Sequence, residues 1–125
     1  MAVTVDTNAL IHFFTNDVPR KADLVENLFK KEKNIFIPDV IFPELEYILG
    51  NEYKFSRDQL LDIFNSLLSR SNLHINSVVK IAVQIFSQTK LDMADCIIAA
   101  SSLKGKLASF DKELLGVKEI NSFWK

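Results

Sequence analysis

Four acidic residues carry the chemistry this sequence can do: Asp6, Glu44, Asp95 and Asp111. Asp6 closes the β-branched run Val3-Thr4-Val5 and precedes Thr7 and Asn8, residue types that leave strands and start helices. A carboxylate at the C-terminal end of a parallel strand faces the crevice where such sheets bind ligands, although a helix N-cap accounts for Asp6 as well. Glu44 falls within a helix expected from Asp39 to about Leu49. At ~100° per residue counted from Val40, Glu44 lies about 40° and Ile48 about 80° round the helix, on the face read as inward. A carboxylate among aliphatic groups needs a partner, either a Lys or Arg or a metal ion. Asp95 is the one charge between Met93 and Leu103, in a helix whose apolar residues lie all round and which is therefore expected to be buried. Asp92 shares its face; N-capping accounts for Asp92, and a first-turn dipole contact accounts less well for Asp95. Asp111 ends a further strand, after Leu107-Ala108-Ser109-Phe110.

Those acids need elements to bring them together. Short strands are expected at Val3 to Val5, Ile35 to Ile37, Leu73 to Ile75, Leu107 to Ser109 and Val117 to Ile120, with helices between them. The helix from Pro19 to about Lys33 has Pro at its first position and the apolar face Ala22, Val25, Leu28 and Phe29. Ser56-Arg57-Asp58-Gln59 is a capping box opening a helix to about Ser69, lined by Leu60, Leu61, Phe64, Leu67 and Leu68. Another helix follows Asn76 through Val79, Val83 and Phe86, and a last helical turn spans Lys112 to Leu115. Alternation of strand and helix argues a single α/β domain over residues 1–125. Its expected form is a three-layer α/β/α sandwich around a short central parallel sheet of four to five strands. All parallel strands share one C-terminal edge, so Asp6 and Asp111 are expected at that edge with Glu44 and Asp95 near them. Two unit charges ~4 Å apart at an effective dielectric of ~20 repel by ~4 kcal/mol, so such a cluster calls for a cation. Oxygen-only ligands suit Mg²⁺ or Mn²⁺.

Composition narrows the classes. Hydrophobic residues form 48% of the 125, with three Gly and three Pro, which excludes disorder and collagen-like repeats. No apolar run is long enough for a membrane span and no leader pattern is present, so a soluble, cytoplasmic protein is expected. A single cysteine, Cys96, excludes an internal disulfide and a Cys-based zinc site, and reads as a small core residue. His12 and His74 read as packing or partner-contacting side chains, and Trp124 as packing on the body of the protein. A net charge of −1 is not that of a simple nucleic-acid binder, unless the acids are collected where a cation reverses their local effect.

Four segments together, VDTN at residues 5–8, IPDVIFPELEYIL at 37–49, LDMADCIIAA at 91–100 and SFDKELL at 109–115, resemble the PIN-domain nucleases. The small size resembles the VapC-type toxins of toxin–antitoxin pairs. The resemblance implies that Asp6, Glu44, Asp95 and Asp111 hold one or two Mg²⁺ or Mn²⁺ ions, with Asp92 an extra acid able to exchange roles with Asp95. It implies that Thr7, Asn8 and Ser109 orient the acids. The implied activity is hydrolysis of RNA phosphodiester bonds, and the implied partners are a homodimer mate and an antitoxin protein. Ser109 stands where Thr is commoner, and Pro43 precedes Glu44 where a small apolar residue is usual; neither removes a ligand. A solitary RNA-processing PIN nuclease and a PIN-like scaffold without catalysis are the nearest alternatives. A receiver domain fits less well, because the third strand ends before Asn76 instead of on an Asp. An aspartyl phosphatase would need a second Asp where Asn8 stands.

Overall fold

Val3, Ile35 and Leu73 each open a two-residue strand, and a parallel ladder joins all three. In the computed structural model, which describes residues 2–124, these are β1 (Val3–Thr4), β2 (Ile35–Phe36) and β3 (Leu73–His74), in the order β1-β2-β3. Val3 pairs with Ile35, and Ile35 with Leu73. The ladder extends past each strand: Val5 N–H donates to Phe36 O at 3.1 Å and Ile37 N–H to His74 O at 3.1 Å. Parallel strands need crossover connections, and helices supply them.

The described residues form two compact units, one through Asn76 and one from Ser77 onward. The first holds the sheet with α1 (Thr7–Thr15), α2 (Pro19–Lys31), α3 (Ile41–Asn51) and α4 (Arg57–Leu68). Leu10, Ile35, Ile37, Phe42, Leu45, Leu49, Phe64 and Leu67 are fully buried in it, with Phe42 and Phe64 rings 5.5 Å apart. The capping box forms in both directions: Ser56 Oγ accepts from Gln59 N–H, and Gln59 Oε1 accepts from Ser56 N–H. His12 and His74 take the structural roles expected of them. The His12 ring donates to Asp17 at 2.7 Å, and His74 Nε2 lies 3.0 Å from Asn34 Oδ1.

The second unit pairs α5 (Ser77–Gln88) with α6 (Met93–Ser102), followed by the single turn α7 (Lys112–Leu115). Buried Ala82, Ala99, Ala100 and Cys96 give this pair a small-residue character. Of the expected fourth strand, Leu107 alone engages, in an isolated parallel bridge to Ser122. The expected fifth strand at Val117 to Ile120 is a turn. Val117 N–H donates to Leu114 O, Ile120 N–H donates to Val117 O, and Glu119 has φ of 73°, which no strand accommodates. Bridge residue Ser122 lies beyond that turn.

Candidate metal-binding carboxylates

In the first unit, Asp6 leaves β1 and caps α1: its φ and ψ are extended and its Oδ1 accepts the Thr7 N–H at 2.7 Å. Both readings of this residue therefore hold together, a cap at the C-terminal end of a parallel strand. Thr7 is buried, and its hydroxyl donates to Glu44 Oε1. That bond ties the start of α1 to α3 and holds Glu44 beside the strand end. Asp6, Thr7, Asn8, Pro43, Glu44, Tyr47 and Ile48 line one open groove of about 530 Å³.

Glu44 itself is exposed, not inward. Helix α3 buries Ile41, Phe42, Leu45 and Leu49, while Val40, from which the face was counted, is 59% exposed. The buried stripe thus lies about a third of a turn from the one expected. Glu44 therefore needs no ion pair to offset burial, and its carboxylate opens on the groove.

In the second unit, Asp92 N-caps α6 by accepting the Asp95 N–H at 2.8 Å. Asp95 is half-buried and Asp92 exposed; α6 also exposes Ala94 and Ile98, so it is buried on one side instead of all round. Burial pushes the Asp95 carboxyl above its ordinary range, and the nearby charges of Asp92, Asp111 and Glu113 push it the same way. Asp111 caps α7, its Oδ1 accepting from Glu113 N–H at 2.9 Å and Leu114 N–H at 3.1 Å, while Ser109 Oγ accepts the Asp111 N–H at 3.0 Å. Ser109 thus meets the Asp111 backbone and Thr7 the Glu44 carboxylate, and Asn8 lines the groove. Glu113 escaped the sequence reading, although its place two residues after Asp111 was the available signal.

Each unit therefore presents its own acidic grouping: Asp6 with Glu44 in the first, Asp92, Asp95, Asp111 and Glu113 in the second. Among the described residues, no group of three or more His, Cys, Asp or Glu side chains stands closely enough to hold a metal ion alone. The donor chemistry nonetheless fits a hard divalent cation, being all oxygen. The like charges crowding Asp95 are also what such an ion neutralises.

The PIN domain family matches residues 3–120. The chain belongs to the PIN-domain family. A VapC ribonuclease of Aquifex aeolicus (strain VF5) is 25% identical over 125 residues, covering 95% of this chain and 84% of that protein. No solved structure matches it. All four acids proposed from the sequence lie inside the PIN match, as do Thr7, Asn8, Asp92 and Ser109.

Proposed function

We propose that this PIN domain is an endoribonuclease that hydrolyses RNA phosphodiester bonds with one or two Mg²⁺ or Mn²⁺ ions, and that it is the toxin of a type II toxin–antitoxin pair. The observation that carries the reading is the family match over residues 3–120, which includes every acidic segment. Similarity to a VapC ribonuclease supports RNA as the substrate class. Asp6, Glu44, Asp95 and Asp111 are the proposed metal-holding residues, with Asp92 able to stand in for Asp95. Bound, such ions act as Lewis acids toward phosphoryl oxygens and lower the pKa of an attacking water.

The chain's own contribution is to hold the carboxylates still. Asp6 and Asp111 are fixed by backbone N–H groups at helix starts, Glu44 by the Thr7 hydroxyl and Asp92 by the Asp95 N–H. The side-chain and solvent reorganisation that a loose carboxylate would need is thereby avoided. A net charge of −1 agrees with this reading, since substrate phosphates meet cations held by carboxylates instead of a broad basic surface. One family match running through both units supports a single PIN domain with an α/β/α arrangement. A homodimer mate, an antitoxin protein and a cytoplasmic location belong to the toxin reading. Among the described residues no helix is long and apolar enough to cross a membrane.

Single-stranded RNA incubated with the purified chain tests the activity. Cleavage is expected with Mg²⁺ or Mn²⁺ and not with chelator, and Asp6→Asn is expected to stay folded while its cleavage falls to background. Metal-independent cleavage, or full activity in Asp6→Asn, contradicts the reading. Growth arrest on expression, relieved by a protein encoded beside the gene, distinguishes the toxin from a solitary RNA-processing enzyme.

A further inference from the structure

Trp124 does not pack into the body of the protein. Leu107 N–H donates to Asn121 O at 2.7 Å and Phe123 N–H donates to Leu107 O at 2.8 Å, pinning the C-terminal segment alongside the chain that leads to Asp111. The Ser122 hydroxyl donates to Trp124 O and fixes the residue beyond. This brings the Trp124 ring flat against Phe110, with centroids 4.7 Å apart and planes 4° from parallel. Phe123 meets Trp124 edge-on at 5.6 Å. Yet Phe110 is 85% exposed and Trp124 48% exposed, so the stack stands in solvent. Most of the Phe110 ring and about half of Trp124 are thus left in contact with water.

We infer that Phe110 and Trp124 form a stacking platform for a base of single-stranded RNA, an inference that rests on the ribonuclease reading above. Coplanar rings with one face of Phe110 open accept a further planar π system by continuing the stack, and every nucleobase has such a face. Phe110 directly precedes Asp111, whose carboxylate is held by two N–H groups of α7, so the platform is one residue along the chain from a proposed metal-holding residue. Lys104, Lys106 and Lys112 are exposed on the flanking segments and suit the phosphates of the same strand. Exposed aromatics also mark protein interfaces. Parallel ring geometry, with lysines on the flanking segments, favours the nucleic acid.

Trp124 is the chain's single tryptophan, so its fluorescence reports on the platform directly. The full chain is titrated, in chelator so that nothing is cut, with a labelled single-stranded RNA oligonucleotide and with an abasic oligonucleotide of equal length. Affinity is followed by anisotropy of the label and stacking by quenching of Trp124. Wild type is expected to be quenched by the RNA, to bind the abasic strand roughly tenfold more weakly, and to lose roughly tenfold in RNA affinity on Phe110→Ala. Phe110→Tyr is expected to bind like wild type, and a melting temperature of Phe110→Ala close to wild type shows that the fold is intact. Equal affinity for the abasic strand, absence of quenching, or unchanged affinity in Phe110→Ala overturns the platform. So does a change in self-association by sedimentation with RNA affinity unaltered, which assigns the aromatics to a protein interface. Base-dependent binding with no cleavage under any divalent ion retains the platform and removes the ribonuclease; cleavage indifferent to Phe110 does the reverse.

Discussion

Thr7 is the residue on which the first acidic grouping turns: its backbone N–H fixes Asp6 and its hydroxyl fixes Glu44. The residue types around Asp6 made that local geometry legible, because strand, Asp and Thr in succession specify a strand end and a cap. Glu44 stood out in the sequence as a candidate, but its exposure was not legible there. Val40 and Ile41 are both apolar, and only the packing of α3 against α1 and α4 decides which of them faces in. A second residue-scale feature is independent of the acids. Asp17 accepts from His12 at 2.7 Å, and that hydrogen bond holds its carboxyl down to about 2 from an ordinary 3.8, against partial desolvation and helped by Thr15 and Tyr53. A depressed folded pKa contributes stability that is present above the unfolded value and lost as pH falls through the folded one. The loss is therefore expected between pH 3.8 and about 2. Carboxyl NMR of His12→Ala is expected to show the Asp17 titration moved up toward its ordinary range, with a flatter acid limb in that window; an unmoved titration would remove His12 as the cause.

Helices were the elements most legible from the sequence, because their signals are local. Pro19 at a first helical position and the Ser56 to Gln59 box marked helix starts that the structure shows within a residue. Strands were harder, since two residues carry too little periodicity to show which neighbour they pair with. Val117 to Ile120 has strand-like composition, but the chain leaving α7 folds back through two turn hydrogen bonds and a left-handed Glu119. Pairing falls to Ser122, which no apolar pattern marks. At this scale the capping box gives a direct expectation. Ser56→Ala removes the acceptor for Gln59 N–H and is expected to lower unfolding free energy by about 1 kcal/mol in urea denaturation with an unchanged slope. No change in the midpoint would show that the cap adds nothing to the stability of the first unit.

At the scale of the whole molecule, one family match runs through both units. Asp6 and Glu44 belong to the first, Asp92, Asp95 and Asp111 to the second, and the PIN match includes them all. Under the proposed function, Asp6 and Asp95 are each needed for the response to a divalent metal. Thermal melting of wild type, Asp6→Asn and Asp95→Asn, each in chelator and in Mn²⁺, tests it without reference to any substrate. In chelator, Asp95→Asn is expected to melt no lower than wild type, because it removes a like charge beside Asp92, Asp111 and Glu113. Mn²⁺ is expected to raise the wild-type melting temperature and to leave both variants unmoved, one from each unit. A wild type indifferent to metal and chelator, or a metal shift that survives either substitution in full, contradicts the account.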